Sequence, residues 1–223
     1  MITNISFDLW LTLIKSHPEF KFKRAEMIAD TYNPKGLKAE QIDNIIRTLD
    51  KTFDQYNETS ENHMLASEMY FKILTQIGNN PESINMEDAD KIKTLSDNLF
   101  IEYHPQFLNN NILSILDDLN KEGLILNLAS NTGFIEGKTL RIVLDKLNIS
   151  KYFSFFVFSD EINSSKPSSA FFQKVHNETG TSKKSVLHIG DNIKTDYQGA
   201  INFGFSALLI KPNYTLNDIR PRL

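Results

Sequence analysis

From about residue 105 to the end, hydrophobic segments of strand length alternate with segments whose apolar residues recur at helical spacing, and no other feature restricts the fold so tightly. Leu108, Ile112, Ile115, Leu116 and Leu119 fall on one helical face that Gly123 closes, and Leu124 to Ala129 then reads as a strand. Leu140, Val143, Leu144 and Leu147 predict the next helix and Phe155 to Phe158 the next strand. A helix containing Phe171, Phe172 and Val175 follows. Val186 to Ile189 predicts a strand, Asp196 to Phe203 a helix, and Ala207 to Ile210 a last strand. Strand and helix in alternation give a parallel sheet covered by helices on both faces.

One further strand stands apart. Ile5-Ser6-Phe7-Asp8 is a short apolar run ending on a carboxylate, and from about Pro18 to Phe100 only helical signals follow it. Ile42, Ile45, Ile46, Leu49, Phe53 and Tyr56 share one helical face; Met64, Tyr70, Ile73, Leu74 and Ile77 repeat the pattern, with Gly78 placed to end it. Asn33-Pro34-Lys35-Gly36 and Asn79-Asn80-Pro81 are the expected breakers, and Ile92, Leu95 and Leu99 predict a further helix. The first strand must join the later sheet, so the helical block is an insert. The expected architecture is a doubly wound, Rossmann-like α/β core (1–16 and 101–223) with an inserted α-helical cap domain (17–100).

Composition narrows the function classes. A net charge of -4 provides no basic field for nucleic acid or an anionic membrane, and the cluster Lys21, Lys23, Arg24 is too short to change that. With no cysteine, disulfides, thiolate metal sites and a cysteine nucleophile are excluded. The first residues carry neither a basic stretch nor a long apolar one, and no run approaches the roughly 20 apolar residues of a membrane span. A cytoplasmic protein is the expectation.

Open parallel sheets place their sites at the carboxyl ends of the strands. Asp8-Leu9-Trp10-Leu11-Thr12 follows the first strand, Ser130-Asn131 the second, Lys166-Pro167 lies beyond the third, and Gly190-Asp191-Asn192 with Asp196 follows the fourth. Carboxylates, hydroxyls and an ammonium brought to one edge suit a divalent cation and an oxyanion. Each segment alone has a plainer reading, as a turn cap, a solvated loop or a first-turn helix carboxylate. Four in order, each at a strand end, do not. His188 reads as a satisfied core histidine; His63, His104 and His176 read as surface or helix residues.

These four segments resemble, in order and at appropriate intervals, the four motifs of the haloacid dehalogenase (HAD) superfamily, with a helical cap of the C1 kind. The resemblance runs from near residue 5 to near residue 204. It implies a Mg²⁺-dependent hydrolase, most simply a phosphatase acting on a small phosphorylated metabolite, in which Asp8 forms an aspartyl-phosphate that water then cleaves. Asp8, Asp191 and the backbone carbonyl of Trp10 would bind the metal, and Asp196 would hold its waters. Thr12 and Ser130 would donate hydrogen bonds to the nucleophile and the transferring group, and Lys166 would neutralise charge. Trp10, Asn131, Lys166, His17 and Lys21 are the expected substrate-binding residues.

Trp10 departs from the family pattern. HAD phosphatases resemble Asp-x-Asp-x-Thr, and the second aspartate protonates the leaving oxygen and later activates water. Indole does neither, and losing a general acid or base costs about 10²–10⁴ in rate. Four readings stay open. One is a phosphohydrolase whose leaving group needs little protonation, such as an acyl phosphate, or whose acid comes from His17, Glu19 or Lys21. A second is a phosphonate hydrolase with a cap lysine, Lys21 or Lys23. A third is a 2-haloacid dehalogenase, whose aromatic residue at this position matches but whose fourth motif lacks Asp191 and Asp196. The fourth is a catalytically impaired phospholigand-binding protein. Trp10 also has a packing role open to it, between core and cap.

Overall fold

The computed structural model describes residues 1–60, 62–78 and 84–223. Five parallel strands form one sheet in the order β5-β4-β1-β6-β7: β1 Asn4–Phe7, β4 Ile125–Ser130, β5 Phe153–Phe158, β6 Val186–Gly190 and β7 Ser206–Leu209. β1 is central and fully buried, pairing with β4 through Phe7↔Leu128 and with β6 through Phe7↔Ile189. A strand flanked on both edges and covered on both faces holds few polar side chains; here the Ser6 hydroxyl pairs with His188 Nδ1 (3.1 Å), and Asn4 at the start of the strand has a buried Oδ1 with no partner. From β1 the chain winds to β4 and β5 on one side and to β6 and β7 on the other, so the order reverses at the end of β1.

Side-chain alternation sorts the core into two layers. Ile5, Phe7, Leu126, Leu128, Leu187 and Ile189 point to one face, where α5 (Ile112–Lys121) and α6 (Gly137–Lys146) bring Ile115, Leu116, Leu119, Leu140 and Leu144. Ala129, Val157, Val186 and Ala207 point to the other, under Phe171, Phe172 and Val175 of α8 (Ser169–Thr179), which follows the short α7 (Ser159–Ile162), and Ala200 of α9 (Gly199–Phe203). Leu108 lies before α5, and Gly123 follows it at φ 83°.

Between β1 and β4 the chain makes α1 (Phe20–Thr31), α2 (Ala39–Ser60), α3 (Ala66–Gly78) and α4 (Met86–Glu102). They have a core of their own, built from Ile28, Ile42, Ile46, Phe53, Tyr70, Ile73, Ile77 and Ile92. Tyr56 of the expected α2 face is exposed, and Met64 precedes α3. Asn85 caps α4 reciprocally with Asp88; the expected breaker Asn79-Asn80-Pro81 lies outside the described residues. A two-stranded antiparallel ribbon, β2 (Ile14–Lys15) against β3 (Gln106–Phe107), ties together the two crossings between sheet and helical block. Phe20 and Phe100, near the ends of α1 and α4, are buried in the core of the sheet. No helix among the described residues is long and apolar enough to cross a membrane.

Candidate active site

β1 ends at Phe7, and the Asp8 N–H extends its pairing by donating to the Ile189 carbonyl (2.8 Å). The Asp8 carboxylate is therefore fixed at the carboxyl edge of the sheet, where the strand order reverses. The chain then turns sharply through Leu11 at φ 55°, a left-handed conformation that a bulky residue adopts only when its surroundings impose it. Leu11 N–H donates to the Ile14 carbonyl (2.8 Å) and Leu13 N–H to the Leu9 carbonyl (2.9 Å). The turn returns Thr12 to Asp8, with Thr12 Oγ1 donating to Asp8 Oδ2 (3.2 Å).

Lys166 arrives from the loop before α8. Asn131, one residue past β4, holds that loop by both ends of its amide: Oδ1 accepts the Lys166 N–H (2.7 Å) and Nδ2 donates to the Lys166 carbonyl (3.0 Å). The expected substrate-binding residue Asn131 does line the cavity, but its amide is committed to positioning Lys166. The ammonium, only 1% exposed, donates to Asp8 Oδ1 (2.7 Å) and Asp196 Oδ1 (2.6 Å). Ser130 is buried, its hydroxyl donating to the Asn131 carbonyl (3.1 Å).

Asp196 does not begin an α-helix, as its spacing predicted. It sits in a π-helical turn, Ile193–Gln198, in which the N–H groups of Asp196 and Tyr197 both reach the Asn192 carbonyl (3.1 Å). Such a turn is wider than an α-turn and is frequent at functional sites. Here it brings the carboxylate back over Gly190, where Oδ2 accepts the Asn192 N–H (3.0 Å) and Oδ1 lies 3.3 Å from His188 Nε2. A Cβ on Gly190 would meet Asp196 Cγ at 2.3 Å, so a glycine is required for close approach rather than for backbone freedom. His188, buried in β6, also contacts Ser6 Oγ through Nδ1 (3.1 Å). It is the satisfied core histidine its strand position suggested.

Asp8, Asp191 and Asp196 each offer an oxygen within 4.8 Å of the others. Burial pushes the Asp8 carboxyl up to about 6, with Asp196 and Asp191 adding to the rise and Lys166 opposing it. Burial and the Asp196 charge also raise Asp191. Burial alone would raise Asp196 too, but the Lys166 ammonium and the His188 hydrogen bond outweigh it and hold this carboxyl well below the usual range. Three carboxylates facing one ammonium leave negative charge uncompensated. The donors are all hard oxygens, the set that suits Mg²⁺.

These groups line a cavity of about 420 Å³ between the sheet edge and the helical block. Trp10 forms part of its wall, its ring 6.0 Å from that of Phe100, which packs on Phe20 at 5.1 Å. Lys21 lines the cavity as expected. His17 does not: its ring packs on Tyr103 at 5.5 Å and its Nδ1 accepts the Glu19 N–H, which turns it away from the lining. Lys23 is paired with Glu26 on the flank of α1.

Several lining residues were not among the expected site residues. Asp50, Asp54 and Glu58 recur every fourth residue along α2 and face the cavity, as does Arg24 of α1. Their spacing could have been read from the sequence; their direction could not. Glu58 reaches Lys194 beside the metal-type cluster (3.0 Å). His63, expected at the surface or in a helix, is instead buried, with Nδ1 3.1 Å from Ser159 Oγ, which accepts the N–H of the cavity residue Thr132 (2.8 Å). Its partner is 96 positions away in sequence, beyond the reach of local patterning.

Fold and site define a parallel-sheet α/β protein with an acidic, lysine-bridged site at the strand ends, beneath an inserted helical block. The family description "Haloacid dehalogenase-like hydrolase" matches residues 5–210, and the chain belongs to that family. It is 31% identical over 107 residues to the glyceraldehyde 3-phosphate phosphatase of Methanothermobacter thermautotrophicus, covering 47% of this chain and 45% of that protein. It is 29% identical over 104 residues to the pyrimidine 5'-nucleotidase PynA of Streptococcus pneumoniae, covering 46% and 43%. The chain thus spans less than half the length of these two relatives. Among solved structures it resembles the HAD-hydrolase YfnB of Bacillus subtilis bound to magnesium, with a TM-score of 0.73 and 15% identity over 96% of this chain and 91% of that one.

Proposed function

We propose that this hydrolase is a Mg²⁺-dependent phosphohydrolase of small phosphorylated metabolites, with 1–16 and 101–223 as core domain and 17–100 as cap domain, working in the cytoplasm. The observation that carries the reading is the Asp8 carboxylate, held at the floor of the cavity by Lys166 and Thr12 beside two further carboxylates. Asp8, Asp191 and the Trp10 carbonyl would hold the metal directly and Asp196 through water; when bound, the ion would supply positive charge against the phosphoryl oxygens.

Asp8 attacks phosphorus; its oxygen–phosphorus bond forms as the bond to the leaving oxygen breaks, giving an aspartyl-phosphate and the leaving group as its anion. Water then attacks phosphorus as the bond to the Asp8 oxygen breaks, regenerating the carboxylate and releasing phosphate, and the proton that water gives up passes to the departed anion or to the phosphate. Lys166 keeps Asp8 oriented and offsets the repulsion between two anions. Thr12 fixes Oδ2 of Asp8 while Lys166 holds Oδ1, so the carboxylate faces the cavity in one orientation. Trp10 supplies no proton, so leaving groups that depart as stable anions, acyl phosphates above all, are favoured. The acidic cluster supports metal-dependent chemistry over metal-free dehalogenation.

The test is phosphate release, with and without Mg²⁺, from acetyl phosphate and a panel of sugar phosphates, with Asp8→Asn as control. Release that needs Mg²⁺ and vanishes in the variant supports the reading. Silence across the panel from a protein that binds Mg²⁺ contradicts it.

A further inference from the structure

Arg24 is the most unusual charge in the helical block. It lies in α1, is 3% exposed, and lines the same cavity as Asp8. Its guanidinium faces the ring of Phe134 at 4.5 Å and that of Phe20 at 5.4 Å, so the aromatic contacts take its flat surface. The nearby Tyr70 hydroxyl donates its proton elsewhere, to Ser96 Oγ (2.5 Å). Nε, by contrast, is buried with no partner. Among the described residues no ion pair joins Arg24 to a carboxylate: Asp97 is taken by Lys93 (2.9 Å), and Asp50 acts on it only at longer range.

A buried guanidinium without a paired carboxylate is costly, and two rings with the longer-range attraction of Asp50 offset only part of the cost. The rings cover its faces and leave its edge, the part that accepts a planar anion through paired N–H donors.

We propose that Arg24 binds a carboxylate of the substrate, so that the preferred substrates are small phosphorylated carboxylic acids with phosphoryl group at Asp8 and carboxylate at Arg24. This rests on the phosphohydrolase reading above. The carboxylate is favoured over a second phosphoryl group by the neighbours, because the acidic side chains of Asp50 and Asp54 face the same space. A dianion there would meet more repulsion than a monoanion. Lys21, also on the cavity wall, adds positive charge on the same side.

The test compares glycolic acid phosphate with ethylene glycol phosphate, which differ only in the charged end, in wild type, Arg24→Lys and Arg24→Met, with a bisphosphate as third arm. A charge-assisted hydrogen-bonded contact corresponds to a KM lower by about 10- to 100-fold for the acid, with kcat little changed. Arg24→Met should erase that preference and Arg24→Lys retain part of it. The same pair is titrated by calorimetry into Asp8→Asn protein with Mg²⁺, with and without Arg24→Met, so that recognition is read without turnover. Melting curves identify a variant that fails to fold, in which case Arg24→Lys decides. Equal handling of the two esters, an unchanged preference in Arg24→Met, or stronger binding of the bisphosphate overturns the proposal. Absence of all turnover with the acid still selectively bound would instead count against the phosphohydrolase reading and leave the role of Arg24 standing.

Discussion

Replacing Gly190 by alanine probes the architecture of the site with a single methyl group. Gly190 has an ordinary strand backbone, so alanine brings no dihedral strain, and by backbone entropy alone it should stabilise the strand by about 0.5–1 kcal/mol. The added Cβ, however, would lie 2.3 Å from both Cγ and Oδ2 of Asp196 and 2.6 Å from its Cβ. An ordinary contact requires Asp196 to withdraw by about 1 Å. That carboxylate is not a free end: it is held by Lys166 Nζ at 2.6 Å and by the Asn192 N–H at 3.0 Å. Hydrogen bonds to charged groups contribute about 1.5–3 kcal/mol each, so losing these two would cost about 3 kcal/mol or more. For a chain of this size that is a fall of roughly 6–12 °C in melting temperature. The assay is a thermal melt of wild type, Gly190→Ala and Asp196→Asn in metal-free buffer, followed by Mg²⁺ titration of each. Gly190→Ala should melt far below wild type and bind Mg²⁺ more weakly. A melting temperature equal to or above wild type would refute the close packing of Asp196 over Gly190, and with it the placement of the third carboxylate.

Lys166→Met should leave Asp8 and Asp196 buried without their counter-charge, at a cost of about 3–5 kcal/mol; added Mg²⁺ should recover part of the loss in a thermal melt, and no recovery would place the metal elsewhere. Asp54, pushed up to about 6 by burial and by Asp50 and Glu58, is disfavoured as an anion in the folded state, so its protonation stabilises the fold below the unfolded value and that stability is lost as pH rises through about 6. Asp54→Asn should accordingly raise the melting temperature at about pH 8 and leave it unchanged near pH 4; the opposite pattern would show that Asp54 gains a cationic partner. Trp10→Asp should raise hydrolysis of alkyl phosphates relative to acetyl phosphate by up to about 10²-fold if only a proton donor is missing, whereas an unchanged ratio would assign Trp10 to the wall it forms with Phe100.

The sheet was legible because its signal is local. Val186 to Ile189 and Leu124 to Ala129 are apolar runs bounded by turn residues, and each lies within a residue or so of the strand found. The placement of polar residues at the carboxyl edge of the sheet was legible for the same reason: Asp8, Ser130, Lys166 and Asp191 each follow an element whose end could be read. What escaped depends on long-range placement. The β2–β3 ribbon has two residues per strand, too few for any periodicity. The π-turn at Asp196 has no compositional mark. His63 is buried by a serine from the far side of the chain. Arg24 stood among Lys21 and Lys23 as one of three surface-like cations, and only the fold separates it: Lys23 faces solvent and Glu26, while Arg24 turns inward between Phe20 and Phe134.

The central claim is that Asp8 transfers a phosphoryl group through its own carboxylate, and a single turnover in heavy-oxygen water tests it most directly. Excess enzyme is mixed with acetyl phosphate and Mg²⁺, and both the released phosphate and the peptide containing Asp8 are examined by mass spectrometry. Attack of water on phosphorus predicts heavy oxygen in the phosphate, none in Asp8, and a phosphorylated Asp8 peptide in early acid-quenched samples. Heavy oxygen in the Asp8 carboxylate would mean that water attacks its carbonyl carbon, the chemistry of an ester intermediate, and would contradict the account.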